Sequence, residues 1–232
     1  MALTPKREVD SYISILGSDG TLRMTVDENT PGAIKRDWKN ADGTKTGTKW
    51  ELVYEDVSGF ITGVEFKDGD FGSNLILTIT DGDDVLKLSL STNSPFGEDM
   101  MKKLPAMDLT LPCVLRPYAF TDDKGKPRKG MSITQDGEKV HDFFYEVNTK
   151  TQLHGFPKPE FKKDKKTGEN KPFSSDDWKL YFGMCRKFLI EYIEEHHLIE
   201  PKKGAKTETW DKKSPATVAS QEEEINPEDV PF

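Results

Sequence analysis

Cysteine is nearly absent from this chain: only Cys113 and Cys185 occur, far apart and with no CxxC or CxxxxH spacing around either. That spacing supports neither a disulfide framework nor a zinc site, and two buried thiols in a reducing compartment are the expectation. No apolar stretch approaches the ~20 residues of a membrane-spanning helix, and the opening MALTPKREVD has no apolar signal-peptide core. A soluble intracellular protein with no membrane partner is therefore expected. Hydrophobic residues are only 34% of the 232, so part of the chain is expected to lie outside any packed core. Catalytic motifs are missing as well: there is no GxSxG, no Walker glycine loop and no HExxH, and Asp70-Phe71-Gly72 lacks the other kinase signatures. Asp68, Asp70, Asp81, Asp83 and Asp84 could hold Mg²⁺ for a nuclease. An acid beside glycine between two strands is more simply a hairpin turn, so neither metal nor cofactor is expected.

Net positive charge is also lacking, the formal total being −8. The average conceals segregation. Residues 31–50 carry five bases against two acids, and so do residues 116–130. Residues 156–173 carry six bases against three acids, whereas residues 51–100 hold eleven acids against Lys67 and Lys87. Such a pattern allows one basic and one acidic face in the folded molecule. Residues 201–232 mix Lys, Pro, Ser, Thr and Gly with the terminal acidic run QEEEINPEDVPF. This composition cannot bury enough apolar surface to offset ordering, so a disordered tail over 201–232 is expected to follow a folded domain over 1–200.

What is present between residues 10 and 150 is period-two alternation, the mark of half-buried strands. Leu22, Met24 and Val26 alternate with Thr21, Arg23 and Thr25; Trp50, Leu52 and Tyr54 with Glu51, Val53 and Glu55; Leu86, Leu88 and Leu90 with Lys87, Ser89 and Ser91. Further strands are predicted over 11–16, 57–67, 74–80, 109–119, 130–135 and 139–147, with turns at Ser18-Asp19-Gly20, Asp81-Gly82-Asp83 and Asp136-Gly137. A short helix is predicted over 97–104. With few crossover helices, the expectation is a mainly β fold, an antiparallel barrel or sandwich. One long helix closes it. It starts at Ser174 or Ser175, ends near His197, and bears the stripe Trp178, Tyr181, Phe182, Cys185, Phe188, Leu189, Tyr192 and Ile193, expected to pack on the sheet.

The last residues, Glu228, Asp229, Val230, Pro231 and Phe232 behind Glu222, Glu223 and Glu224, form a tethered ligand: a ring for an apolar pocket and acids for its basic rim. This ending resembles the acidic tip of bacterial and bacteriophage single-stranded DNA-binding proteins, and the size and strand-rich pattern are most similar to the version of tailed enterobacterial bacteriophages. The resemblance implies an OB-fold-like antiparallel barrel with long loops and one long C-terminal helix packed on it. It also implies a non-enzymatic protein that coats single-stranded DNA in replication, recombination and repair in the cytoplasm of an infected bacterium. Replication and repair proteins would be recruited through the tip. In place of the family's consecutive aspartates, this chain has Glu228-Asp229 after Asn226-Pro227.

A sequence-tolerant binder of single strands needs cations for phosphates and rings for bases. The basic segments supply both. The stacking candidates are Trp38, Trp50, Tyr118, Phe120, Phe156, Phe161 and Phe173. The phosphate candidates are Lys35, Arg36, Lys39, Arg116, Lys124, Lys126, Arg128, Lys129, Lys162 and Lys163. Residues 28–48, 121–130 and 154–173 are expected to be the loops that carry them. The acidic tip is expected to compete with DNA for this groove, so that deleting 222–232 tightens DNA binding most at low salt; unchanged affinity would remove the idea. Two rivals stand beside this reading: a metal-dependent nuclease using the Asp clusters, and a β-barrel adaptor that displays the tail and binds no nucleic acid.

Overall fold

A computed structural model describes residues 11–39, 43–69, 72–161, 163, 168 and 170–197. Seven strands come first: β1 (Ser11–Leu16), β2 (Thr21–Val26), β3 (Ile34–Lys39), β4 (Thr46–Tyr54), β5 (Val57–Gly69), β6 (Gly72–Asp81) and β7 (Asp84–Ser91). Helix α1 (Pro95–Lys103) follows, then β8 (Cys113–Thr121), β9 (Pro127–Gln135), the short β10 (Glu138–Lys139), β11 (Tyr145–Glu146) and β12 (Thr151–Gln152), and finally α2 (Ser175–His196). The fold is mainly β with one long C-terminal helix. Ten of the described strands form one sheet in the order β10-β9-β8-β5-β6-β7-β1-β2-β4-β3, and β11 and β12 form a separate pair.

Within this sheet β5, β6 and β7 are consecutive antiparallel neighbours, and β8 returns after α1 to pair with β5. That spatial order, fourth-first-second-third, is a Greek key. The expectation of an antiparallel barrel is corrected in two respects. The sheet is mixed, because β1 lies parallel to β7, and among the described residues no ladder closes it. At Met131 the free backbone edge of β9 is covered by α1 instead of a strand. The Met131 amide donates to Asp99 Oδ2 at 2.6 Å, and Lys103 Nζ donates to the Met131 carbonyl at 2.7 Å. An ion pair between Asp99 and Lys103, 3.0 Å long, holds this clasp together. It satisfies the backbone groups that a closing strand would otherwise take.

The sheet nevertheless rolls far enough for its two halves to touch. Gly20, in the turn between β1 and β2, has φ +68°, and a Cβ there would lie 2.6 Å from the Ala119 nitrogen of β8. Lys129 of β9 reaches the same turn and donates to the Gly17 carbonyl. Inside the roll the alternating residues of the strands, among them Ile13, Leu22, Leu77, Leu88, Leu115 and Ile133, form one core with Phe96, Met100, Met101 and Leu104. Ser94 caps α1 by accepting from the Gly97 amide, and Pro95 opens it. Cys113 and Cys185 are both free and buried; burial pushes the Cys113 thiol up to about 12.

Helix α2 begins with a capping box, Ser174 and Asp177 each bonding the other's backbone amide. Its C-terminal half behaves as its stripe predicts: Cys185, Leu189 and Ile193 are buried, and Phe188 and Tyr192 pack partly on the core. Its first turns do not. Trp178 and Phe182 continue the same stripe, yet both remain exposed. The expected loops are corrected in part: residues 28–48 contain the strand β3, and 121–130 reduces to a tight turn between β8 and β9.

Candidate nucleic-acid interface

Strand β3 pairs with β4 so that Trp38 stands opposite Gly47, Arg36 opposite Lys49 and Lys35 opposite Trp50. Alternation puts Trp38, Arg36 and Lys49 on one face and Trp50, Lys35 and Lys39 on the other. The two tryptophans bracketing this basic segment thus face opposite sides. The Trp38 ring lies across Gly47, where a Cβ would come 2.8 Å from the indole nitrogen, and Lys49 Nζ sits 5.9 Å from the ring centroid. Next to this pair Arg36 grips Glu51 with both Nε (2.7 Å) and Nη2 (2.6 Å). Glu51 is 3% exposed and also accepts from Arg23 at 3.3 Å. The Arg36 hydrogen bonds hold the Glu51 carboxyl below the usual carboxylate range despite burial, and Arg23 adds to this.

The second basic segment is the β8–β9 hairpin. Tyr118 stands opposite Gly130 and Phe120 opposite Arg128. As with Trp38, the Tyr118 ring crosses a glycine, its hydroxyl occupying the space a Gly130 Cβ would need. Burial pushes the Tyr118 phenol up to about 12, so it stays protonated. Phe120 lies 5.8 Å from Tyr118, centroid to centroid, and is 42% exposed. In the turn, Asp122 accepts from the amides of Lys124 and Lys126 and pairs with Arg128 at 3.0 Å, which fixes the guanidinium beside Phe120. Arg116 pairs with Asp56 at 2.6 Å in an exposed contact, the kind worth about 0–1 kcal/mol and easily exchanged for a phosphate. Lys35, Lys39, Lys124 and Lys126 are exposed and make no ion pair among the described residues.

These two segments meet through the β1–β2 turn. Gly20 packs on the backbone of Tyr118 and Ala119. Beside it, Asp19 pairs with Arg23 at 2.8 Å, Arg23 with Glu51, and Glu51 with Arg36, next to Lys49 and Trp38. A run of neighbouring residues therefore leads from Phe120 and Arg128 to Trp38, with cations and rings at both ends. No family model matches the chain, and no curated protein or solved structure matches it either.

The third segment is placed elsewhere. Phe156 is half-buried between Phe144 and Phe188, at 5.6 and 5.7 Å, with Lys102 Nζ 5.8 Å from its ring. It packs partly against the core. Phe161 and Phe173 lie 4.6 Å apart at the start of α2, with Lys163 exposed nearby in sequence. Lys162 and the tip residues Glu228, Asp229, Val230, Pro231 and Phe232 lie outside the described residues.

Sequence reasoning passed over Arg23 and Lys49, although both stand in basic or alternating stretches it marked. It also passed over Tyr12. This residue is exposed on the outer face of β1 with Lys87 Nζ 5.8 Å from its ring, and the alternation of SYISIL was the available signal. Of the acids raised as metal ligands, Asp81 and Asp84 pair across the β6–β7 hairpin, Asp68 stands opposite Ser73 near the end of β5, and Asp70 lies outside the described residues. Among the described residues no group of three or more His, Cys, Asp or Glu is placed to hold an ion.

Proposed function

We propose that this chain binds unpaired DNA on the rolled face between the β8–β9 turn and the β3–β4 hairpin. The observation that carries the reading is a run of neighbouring residues: Phe120 beside Tyr118, Gly20 against the Tyr118 backbone, Asp19 paired with Arg23, Arg23 and Arg36 with Glu51, and Trp38 on the same face as Arg36. It joins two separate basic, ring-bearing stretches of an acidic protein into one surface. Exposed or half-exposed rings at its ends take bases by stacking, and Lys124, Lys126 and the exchangeable Arg116 take phosphates. The Greek-key order of β8, β5, β6 and β7 with β9 at its side supports a partly open OB-fold as the scaffold, with the β8–β9 turn as one of its binding loops. Segment 222–232 is proposed to recruit replication and repair proteins.

The test is titration of the full chain with oligo-dT, followed by Trp fluorescence and reversed with salt. Binding is expected to weaken with salt by about 0.7 log units per log salt for each phosphate neutralised. Trp38→Ala and Phe120→Ala are each expected to weaken it roughly tenfold, one lost stack being worth about 1–3 kcal/mol. Binding that ignores salt and both substitutions would overturn the reading. Mg²⁺-dependent cleavage of the strand would turn it towards a nuclease.

A further inference from the structure

The stripe of α2 outruns the body it packs on. In the first turns of the helix Trp178 and Phe182 carry the buried face forward, but they are 38% and 42% exposed. Their rings stack on each other at 5.6 Å and 23°. Phe173 meets Trp178 edge-on at 4.8 Å, and Phe161, itself 41% exposed, leans on Phe173. Tyr181 pins this nest by donating to the Pro157 carbonyl at 3.0 Å. Five aromatic side chains thus form a partly open cluster, whereas the exposed aliphatics Leu180 and Met184 fall on another side of the helix. Residues 156–187 carry nine basic against five acidic side chains, a net of +4 in a chain of net −8.

We infer that this nest is a second, separate platform on which bases of an unpaired DNA strand stack, extending the strand beyond the rolled sheet; the inference rests on the function proposed above. The occupant follows from the chemistry. A cluster made only of rings, in a stretch where Lys158, Lys163 and Lys179 are exposed, suits planar bases on a polyanion, because every base has a face to stack and every nucleotide a phosphate to neutralise.

The test compares the wild type with Trp178→Ala/Phe182→Ala on two dT strands, of about six and about sixteen nucleotides. The long strand is expected to bind the variant about tenfold more weakly and the short one equally well. Strands carrying 5-iodouracil are expected to crosslink to Phe161 or Trp178 of the wild type only when long. Phe161→Ala, outside the helix, gives the same comparison should the double variant fail to fold. Equal affinities of variant and wild type for the long strand, with no crosslink in the nest, would overturn the inference and leave the sheet reading intact. So would loss of self-association in the variant with DNA binding unchanged, which would make the patch a contact between copies. A wild type that binds neither strand would defeat both readings.

Discussion

Replacing Gly20 by alanine is expected to destabilise the fold by about 3 kcal/mol or more and to weaken DNA binding, while Gly17→Ala in the same turn changes neither. Two penalties act together at Gly20. Its φ of +68° is one that side-chain-bearing residues adopt only with strain. The new methyl would also sit 2.6 Å from the Ala119 nitrogen and 2.7 Å from the Tyr118 carbonyl carbon, backbone atoms that cannot swing aside. The turn must then lift from β8. At Gly17 no atom lies within 4 Å of the added carbon, so the control isolates the contact from the loss of a glycine. Urea midpoints read the first effect, and dT affinity well below the unfolding transition reads the second. A Gly20→Ala protein as stable as the wild type would show that the roll does not depend on this contact, and the joined surface with it.

That contact also marks the limit of what the chain discloses locally. The strands were legible wherever one face is buried: 11–16 and 21–26 match β1 and β2, because Ile13 and Leu22 must alternate with polar neighbours. The long helix was legible from Ser174 to His197 by its cap and period. Strand β3 was not, since Ile-Lys-Arg-Asp-Trp-Lys at the sheet edge puts charged residues on both faces and shows no alternation. The parallel pairing of β1 with β7 and the clasp of Asp99 and Lys103 on Met131 join residues far apart in sequence, and no local period encodes them. Trp178 and Phe182 obeyed the helical period and still stayed exposed. A stripe specifies which side of a helix is apolar, whereas the extent of the sheet beneath decides how much of it is covered.

The candidate surface followed the same division. Composition marked the basic, ring-bearing segments, and only the rolled sheet determined that two of them adjoin and the third stands apart. Side-chain facing sorted the candidates again: Trp38 shares its face with Arg36 and Lys49 while Trp50 does not, and Phe156 is spent on the core.

The hinge of the joined surface is Glu51, and Glu51→Ala is expected to lower stability by about 2 kcal/mol. The carboxylate is almost fully buried yet holds two guanidiniums, and removing it leaves Arg36 without this partner and Arg23 with only Asp19 and Thr21. Arg36 is partly solvated, which keeps the loss below that of a fully buried pair. The pH dependence carries a sign. Because the folded carboxyl is held below its unfolded value, mainly by the Arg36 hydrogen bonds, its contribution is fully present above the unfolded range near ~4.3. It is lost as pH falls through the lower folded value. Glu51→Gln, which keeps the shape without the charge, should therefore be less stable than the wild type at neutral pH, and the gap between their urea midpoints should close on acidification. A gap that stays constant down to pH ~2 would mean that shape, and not the ion pair, is what Glu51 contributes.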